Sequence, residues 1–298
     1  MRRKARFDHE LKGHPCFNPG AHRRFGRVHL PVAPRCNIKC GYCDREFRRA
    51  AGSSGSSGGS GGSEGWSCAH ENRPGTAGKV LAPETALGAL HRALAAEPRI
   101  RVAAVAGPGD PLANPETFRT FELVRETFPQ LILCLSTNGL VLPESVERLA
   151  DLGVGALTVT VNSVDPVIGA LIHEWIDHEG KRRRGEEAAA LLIENQLAGI
   201  RRAVGFGLAV KVNTVLIPGV NDAHLGEVAR TVGALGVRLM NTMPLYPAGA
   251  FRHLDRPTGA QVREMRRKNA GVVPQMSWCR QCRADACGLL AAGTRLHS

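Results

Sequence analysis

The sequence predicts an α/β fold, an open partial (β/α)6 TIM-like barrel in which six parallel strands alternate with helices. Apolar segments of strand length recur along the chain, are rich in β-branched residues and end in Gly, Pro or Asn, as buried parallel strands do. Helical segments separate them, and connections of this length place successive strands parallel in one sheet. No Gly-x-Gly-x-x-Gly turn follows the first strand, so a dinucleotide-binding fold is the weaker alternative.

The elements follow one another in a regular order. Strands are expected at 27–34, 101–107, 131–139, 156–162, 209–218 and 237–246. Helices are expected at 83–97, 115–128, 143–153, 185–204 and 222–236. Several helices open with Pro-Glu, which places an anion near the positive end of the helix dipole. Six strands fit an open barrel better than a closed eight-stranded one.

One segment interrupts this alternation. Residues 51–63, AGSSGSSGGSGGS, have the composition of a flexible linker. The strand-and-helix pattern begins before them and continues after them, so we interpret them as an inserted loop rather than a boundary between domains. The expected organisation is an N-terminal extension at 1–26, a barrel at 27–272 with an insertion at 48–67, and a C-terminal tail at 273–298.

The composition is that of an ordinary globular protein with a basic surface. The formal net charge is +12 over 298 residues, and the basic residues lie in scattered clusters without interleaved aromatic residues. This pattern favours a solvated basic surface over a nucleic-acid interface, although it also suits attraction of an acidic partner or an anionic substrate. No apolar run reaches the length of about 18 residues typical of a membrane span. The N-terminus lacks the apolar core of a signal peptide, so we expect a cytoplasmic protein with no membrane partner.

Cysteine usage points to metal chemistry. The chain has nine cysteines, at positions 16, 36, 40, 43, 68, 134, 279, 282 and 287. In a cytosolic chain they are expected to stay reduced, and an odd number also argues against a disulfide framework. Metal-binding or catalytic thiols are the better expectation.

Three of these cysteines lie close together after the first predicted strand. Cys36, Cys40 and Cys43 have the spacing C-x3-C-x2-C, and the active residues of such barrels gather at the carboxyl ends of the strands. A four-iron four-sulfur (4Fe-4S) cluster takes four ligands, so three thiolates leave one iron open to bind and activate a small molecule. A zinc site with a fourth ligand from elsewhere is the alternative.

This motif, with Tyr42 before its third cysteine, resembles that of the radical S-adenosylmethionine (SAM) superfamily. The resemblance implies that Cys36, Cys40 and Cys43 hold a 4Fe-4S cluster whose open iron binds SAM, which is then cleaved to a 5′-deoxyadenosyl radical. Polar or glycine residues at successive strand ends fit a SAM site, or else are turn and cap residues. They are Gly107, Gly109, Asp110, Ser136, Asn138, Asn162, Lys211 and Asn213. Asp110 is expected to pair with the ammonium group of SAM.

The chain from about residue 12 to 290 also resembles the NifB family, the radical SAM maturases of the nitrogenase cofactor. The segments that carry the resemblance include HPCFNPGAHRRFGRVHLPVAPRCNIKCGYC, ENRPG, AGPGDPLANPETF, LCLSTNGL, VNSVDPVIGALI, VKVNTVLIPGVND and CRQCRADA. It implies an enzyme that fuses two 4Fe-4S substrate clusters into an eight-iron core with insertion of a SAM-derived carbide and a sulfur, and so a role in nitrogen fixation. It further implies cluster-binding extensions at both ends of the barrel.

The resemblance assigns the other cysteines to the two substrate clusters. One cluster would be held by His29, Cys68 and Cys134, and the other by Cys16, Cys279 and Cys282. From the residues alone, Cys279 and Cys282 form a two-ligand clamp for a cluster or zinc, whereas an isolated thiol in an apolar strand, such as Cys134, is more often a core residue than a ligand. Cys287 is left without a role, and His22 and Glu71 are further candidates near the clusters.

The chain departs from the family in the long Gly/Ser insertion before Cys68 and in the shortened segment YPAGAFRHLDRPTG. No cluster-carrier domain follows, so the expected partners are a cluster donor, a separate carrier or nitrogenase assembly protein, and an electron donor such as ferredoxin or flavodoxin. Two other functions stay open. The first is a radical SAM enzyme with auxiliary clusters that modifies a peptide or small molecule, and the second is a non-catalytic iron–sulfur scaffold.

Overall fold

The computed structural model describes residues 11–44 and 77–290. In this part of the chain the strands are β1 (Gly26–His29), β2 (Ile38–Cys40), β3 (Ile100–Val105), β4 (Ile132–Thr137), β5 (Val154–Thr160), β6 (His173–His178), β7 (Lys181–Arg183), β8 (Ala209–Leu216), β9 (Leu239–Pro244) and β10 (Cys287–Leu289). The helices are α1 (Pro19–His22), α2 (Pro83–Ala96), α3 (Pro115–Thr127), α4 (Leu142–Asp151), α5 (Pro166–Ile172), α6 (Gly185–Gly205), α7 (Leu225–Ala234) and α8 (Gly259–Asn269).

The main sheet is the predicted open barrel. Among the described residues it has seven strands in the order β10-β1-β3-β4-β5-β8-β9. The six strands from β1 to β9 are mutually parallel, and β10 pairs antiparallel with β1 at one edge. The α/β class and the partial barrel are therefore confirmed. Each predicted strand and helix is present within three residues of its predicted bounds, except that the first strand ends at His29, five residues earlier than predicted.

Alternate residues of each strand face opposite sides of the sheet. The outward-facing set, for example Leu133 and Leu135 of β4, packs with apolar residues of the surrounding helices into the largest hydrophobic cluster. The inward-facing set forms a second, smaller cluster that includes Ala104, Cys134 and Ala156. The concave side of the sheet thus presents the Cys134 thiol among apolar residues, which also include Val102 and Ile132.

A second sheet stands beside the barrel and was not predicted. Its strands β2, β6 and β7 pair antiparallel, so that Ile38–Cys40 of the cysteine loop lies against His173–His178. Two of the three strands are three residues long, and HEWIDHEGKRRRG shows little apolar alternation. Their pairing is therefore set by tertiary contacts and not by a local pattern.

The C-terminal segment crosses the open side of the half-barrel. Met240 of β9 accepts a hydrogen bond from the Met276 amide and donates one to the Pro274 carbonyl, each 2.8 Å long. Strand β10, a few residues later, pairs with β1 at the opposite edge of the sheet. Residues 277–286 consequently run from one edge of the sheet to the other.

Two predictions fall outside what the structure describes. The Gly/Ser-rich insertion at 48–67 and the cysteine at 68 lie in the part of the chain between 45 and 76 that is not described. Among the described residues, no helix is both long and apolar enough to cross a membrane.

Candidate functional site

A pocket opens at the carboxyl ends of the parallel strands, and we call it the rim pocket. All three cysteines of the C-x3-C-x2-C motif line it, together with residues from the ends of β4, β5, β8 and β9. The lining includes Cys36, Cys40, Tyr42, Cys43, Ala106, Gly109, Asp110, Ser136, Asn138, Thr160, His173, Asn213, Met243 and Gln281. The predicted position of the thiols at the barrel mouth is the position the structure shows.

The cysteine loop is held by backbone contacts to the second sheet. Cys40 pairs with His173 across β2 and β6. The Gly41 amide donates to the Ile172 carbonyl at 2.8 Å, and the Cys43 amide donates to the Cys40 carbonyl at 3.0 Å. The Lys39 ammonium donates to the Cys43 carbonyl at 2.6 Å. The three thiols therefore project from a loop whose backbone conformation is fixed.

The glycine-rich turn after β3 packs against the segment that leads into this loop. The Gly109 amide donates to the Ala33 carbonyl at 2.6 Å, and the Asp110 amide donates to the Arg35 carbonyl at 2.8 Å. A β-carbon at Gly109 would overlap the Arg35 carbonyl oxygen, so glycine is required for this contact. Close approach to SAM, which we expected of Gly107 and Gly109, stays a prediction, and of the two only Gly109 lines the pocket.

Asp110 is buried and joins the turn to the end of β4. Its carboxylate accepts hydrogen bonds from the Thr137 hydroxyl at 2.9 Å and from the amides of Leu112 and Asn138. Burial raises the pKa of Asp110, and these donors act in the opposite direction. Its position in the structure is that of a brace between two strand ends, while pairing with the SAM ammonium stays a prediction.

Two asparagines at strand ends hold the cysteine loop from the barrel side. The Asn138 amide nitrogen donates to the Asn37 side-chain oxygen at 2.7 Å and lies 3.9 Å from the Cys36 sulfur. The Asn162 amide nitrogen donates to the Tyr42 hydroxyl at 2.9 Å. Burial raises the pKa of Tyr42 well above its usual value, and the neighbouring Cys40 adds to the effect. Tyr42 therefore stays a neutral hydroxyl that anchors the loop.

The remaining predicted SAM contacts divide between two places. Ser136 and Asn213 line the rim pocket. Lys211 lies two residues before Asn213 on β8, hence one inward-facing position and about 7 Å further down the strand. Its ammonium lies 5.4 Å from the centre of the Phe17 ring, which places Lys211 on the barrel floor described below instead of at the pocket.

Sequence reasoning missed two residues that shape the rim pocket. Asn114 donates to the carbonyls of Arg35 and Asp110 at 2.8 and 2.7 Å, so it ties the cysteine loop to the glycine-rich turn. His173 lines the pocket with an Nδ1 atom that is buried and has no hydrogen-bond partner, and burial lowers its pKa to about 4. Asn114 immediately precedes Pro115 and Glu116 at the start of a helix. An asparagine at this position is typical of a helix cap, so the sequence gives no sign of a functional role.

The donor set of the rim pocket fits a 4Fe-4S cluster that keeps one iron open. Three thiols from one loop face a cavity whose other lining residues supply amides, hydroxyls and apolar groups, the carboxylates of Asp44 and Asp110, and the His173 imidazole. Thiolates are the usual cluster ligands, and a fourth is absent from the lining residues, so an external ligand completes the iron. Cys36, Cys40 and Cys43 would hold the cluster, and the strand ends from Asp110 to Asn213 would surround the SAM bound to it.

A second group of metal-ligating side chains lies deeper in the barrel, and we call it the floor. Cys134 of β4 lies two residues before Ser136 and faces the same, inner side of the sheet. It is therefore about 7 Å below the rim along the strand. It packs with Leu11 and Phe17 of the N-terminal segment. The floor comprises His14, Cys16, Arg27, His29, Cys134, Lys211, Cys279 and Cys282.

Hydrogen bonds join the N-terminal segment before β1 to the C-terminal segment around Cys282 at the floor. The Trp278 indole N–H donates to the Pro15 carbonyl at 3.1 Å. The Arg27 guanidinium donates to the Cys282 sulfur at 3.0 Å and to the Gly288 carbonyl at 2.9 Å. These contacts bring Cys16 and Cys282 close to each other although 266 positions separate them in the sequence.

Two floor thiols, those of Cys134 and Cys16, are protonated unless a metal binds them. Burial raises the pKa of Cys134 to about 12, with a further contribution from Cys16. Burial also raises the pKa of Cys16, and the nearby thiols of Cys282 and Cys279 add to that increase. The three cysteines assigned by resemblance to one cluster are therefore within electrostatic reach of one another. Metal binding at such thiols releases protons.

The tautomer and the neutral charge of His29 are those of a metal-ligating imidazole. Its Nδ1 lies 2.7 Å from the Arg283 carbonyl oxygen, and because a carbonyl only accepts, Nδ1 carries the proton. The lone pair is then on Nε2. Burial and the charge of Arg27 lower the pKa of His29 to about 3, so the ring is neutral. A backbone carbonyl that fixes the tautomer in this way is common behind histidine ligands.

Other predicted residues are placed differently. Cys68 and Glu71 lie outside the described residues. Cys287 of β10 is buried in the main hydrophobic cluster between sheet and helices, away from the concave side. His22 is buried beside Pro15 and Arg280, and its Nδ1 has no partner. Across residues 11–44 and 77–290, no three His, Cys, Asp or Glu side chains converge tightly enough to hold a single metal ion.

Comparisons with known proteins identify the family of the chain. Residues 30–232 match the model of the radical SAM superfamily. The chain is 43% identical over 283 residues to the FeMo cofactor biosynthesis protein NifB of Chlorobaculum tepidum, covering 94% of this chain and 62% of that protein. It is 44% identical to the NifB of Methanocaldococcus jannaschii, covering 96% of this chain and 89% of that protein. A third relative, the NifB of Klebsiella pneumoniae, is 44% identical and is covered over 57% of its length. The chain thus spans about three fifths of the two bacterial relatives and most of the archaeal one.

Solved structures support the fold. SuiB of Streptococcus suis, bound to its precursor peptide SuiA, aligns with a TM-score of 0.54 at 12% identity, over 90% of this chain and 50% of that one. SuiB bound to S-adenosylmethionine aligns with a TM-score of 0.52 at 14% identity, over 81% and 46%. At these identities the likeness is one of architecture alone.

Proposed function

The chain belongs to the NifB family of the radical SAM superfamily, and from this premise we propose that it is a cofactor-assembling enzyme. It fuses two 4Fe-4S substrate clusters into an eight-iron core, with a carbide derived from SAM and one added sulfur. The observation that carries this proposal is the presence of two thiol sites on one concave surface. One lies at the rim, and the other lies one inward-facing strand position below it.

The rim residues have the tasks of holding and orienting a resident cofactor. Cys36, Cys40 and Cys43 bind the radical SAM cluster, and Asn138 and Asn162 keep their loop in place. When bound, the cluster and SAM supply a methyl group and a hydrogen-abstracting radical. The strand-end side chains that line the pocket, such as Ser136 and Asn213, would orient SAM beside that cluster.

The floor residues have the task of holding substrate that must later leave. Cys16, Cys279 and Cys282 bind one substrate cluster, while His29 and Cys134, with Cys68 from outside the described residues, bind the other. A neutral imidazole is a weaker and more exchangeable ligand for iron than a thiolate. His29 therefore suits an iron that has to be released when the two clusters become one.

Partners follow from the chemistry and charge of the chain. A cluster donor has to load the floor, and a carrier or nitrogenase assembly protein has to accept the product. The rim cluster needs electrons from a small redox protein such as a ferredoxin or a flavodoxin. A net charge of +12 favours association with an acidic partner of this kind.

Replacement of Cys279 tests the proposal directly. Cys279→Ala removes a floor ligand and leaves the rim untouched, so 5′-deoxyadenosine should still form while the eight-iron product is lost. Cys287→Ala is the matched control, because Cys287 lies in the outer core, and it should retain both activities. Deoxyadenosine is measured by chromatography, and the product by its transfer to apo-nitrogenase under anaerobic conditions. A full yield of fused product from Cys279→Ala would contradict the assignment, and a modified peptide as product would favour the other radical SAM function.

A further inference from the structure

Two cationic side chains are buried in the floor. Arg27 and Lys211 are each 6% exposed, and neither forms an ion pair with a carboxylate among the described residues. A cation without a counter-charge is costly to bury. Their burial therefore indicates that the floor is built to receive a negatively charged occupant.

The hydrogen bonds of Arg27 direct it at a ligand sulfur. One terminal nitrogen donates to the Gly288 carbonyl, which fixes the plane of the guanidinium, and the other donates to the Cys282 sulfur at 3.0 Å. Burial alone would lower the pKa of Arg27, but the adjacent sulfurs of Cys282 and Cys16 raise it above its usual value. The guanidinium is thus a permanent charge in contact with a proposed cluster ligand.

Lys211 approaches the same space from β8, the strand next to the β9 edge of the sheet. Its positive charge acts to lower the pKa values of four floor residues, Cys16, Cys134, His14 and His29. The carboxylate of Asp285 also influences His29, but it is already paired with the Arg283 guanidinium at 2.9 Å. The floor consequently has an excess of positive charge.

We propose that Arg27 and Lys211 are positioning residues that make the floor an anion site, and that Arg27 makes the substrate cluster on Cys282 easier to reduce. The inference rests on the proposed function, because it takes the floor to hold that cluster. A 4Fe-4S cluster with thiolate ligands is an anion, and reduction adds a further negative charge. A fixed cation and an N–H···S bond both stabilise the reduced form, since hydrogen bonds to cluster sulfurs and local charge set cluster potentials.

The test measures the reduction potential of the floor cluster in a chain that lacks the rim cluster. The parent variant carries Cys36→Ser, Cys40→Ser, Cys43→Ser and Cys134→Ser, so that the signals in an anaerobic, electron-paramagnetic-resonance-monitored titration come from the floor cluster on Cys16, Cys279 and Cys282. In this parent, Arg27→Met should lower the ratio of reduced to oxidised cluster about tenfold at a fixed potential, which is about 59 mV for a one-electron couple. Arg27→Lys keeps a charge but loses the planar fork, so it should fall between the parent and Arg27→Met.

Two further variants separate charge from packing. Lys211→Met should lower the same ratio by less than Arg27→Met, because Lys211 does not contact a sulfur. Arg125→Met is the matched control, since Arg125 is a half-buried arginine of α3 that donates to the carbonyls of Leu152 and Gly153 on the helix side. It should leave the potential unchanged.

Each outcome decides the matter. A potential in Arg27→Met equal to that of the parent, with full iron content, overturns the inference and leaves the proposed function intact. If Arg27→Met loses its floor iron, Arg27→Lys carries the test. Retained iron with a lowered potential supports the inference, whereas a parental potential, or loss of iron from this variant too, overturns it. A parent without floor iron would instead overturn the proposed function and this inference with it.

Discussion

The rim and the floor of the barrel both present thiols, but they are built in opposite ways. The rim thiols come from one stretch of eight residues, 36–43, and neutral amides such as Asn138 and Asn162 hold their loop. The floor ligands come from segments far apart in the sequence, and buried cations surround them. A local, neutral and braced site suits a resident cofactor. A composite, cationic site suits an anionic substrate that is loaded and released.

Removal of a rim thiol should give the largest difference between the two regions. Cys40→Ala should abolish 5′-deoxyadenosine formation, because two thiolates cannot hold the radical SAM cluster in place. The floor should keep its iron, since no rim residue is among its ligands. Chromatography of deoxyadenosine and iron analysis of the same sample check both statements. Cofactor cleavage at the unsubstituted rate would remove Cys40 from the site, and loss of all iron would show that rim and floor are not independent.

A substitution in the glycine-rich turn should have a smaller effect on the rim, and a purely steric one. In Gly109→Ala the new methyl group would overlap the Arg35 carbonyl oxygen, and overpacking of this kind costs about 1–3 kcal/mol. We expect a lower thermal midpoint and weaker SAM binding, with the floor iron unchanged. Gly271→Ala is the control, because a β-carbon there meets no atom within 4 Å. Equal SAM affinity in both variants would show that the turn does not position the rim loop.

The acid sensitivity of folding should report on the floor histidines, to which His173 of the rim, with a pKa of about 4, adds a contribution of the same sign. Burial lowers the pKa of His14 and of His29 to about 3, from 6.5, so the unfolded chain binds more protons between these values. The stability of the cluster-free protein should therefore fall as pH decreases below about 6.5, by about 1.4 kcal/mol per pH unit for each group. Asp110, with a raised pKa, acts in the opposite sense at lower pH.

Urea unfolding of the cluster-free chain at pH 6 and pH 5 measures this dependence. His14→Phe should reduce the pH dependence of the unfolding free energy by the contribution of one group. His91→Phe, at an exposed position of α2, should leave this pH dependence unchanged. A slope that is the same in all three chains would mean that His14 is not held neutral in the floor.

The same contrast explains what could be predicted from the sequence. The six parallel strands were predictable because each is an apolar run buried between the barrel interior and the helices. The rim thiols were predictable because their ligand spacing is local. The second sheet was not, since strands such as Ile38–Cys40 are short and depend on a partner more than 130 positions away. Asn114 and His173 were missed because their contacts join loops that are distant in sequence.

The floor could not be predicted from local sequence patterns. Its proposed ligands have no common spacing, so residue chemistry alone favoured a core role for Cys134, and family resemblance supplied its assignment as a ligand. The position of Arg27 against Cys282 follows from the pairing of β1 with β10, which no local pattern indicates. Charge and burial in three dimensions are what distinguish this part of the barrel from an ordinary core.

The most direct test of the account is the iron and sulfide content of the anaerobically reconstituted chain, combined with electron paramagnetic resonance before and after addition of SAM. The account predicts about twelve irons, four for each of three clusters, with SAM perturbing the signal of the rim cluster only. About four irons per chain would contradict it, because the floor would then hold no cluster and its buried cations and thiols would need another occupant.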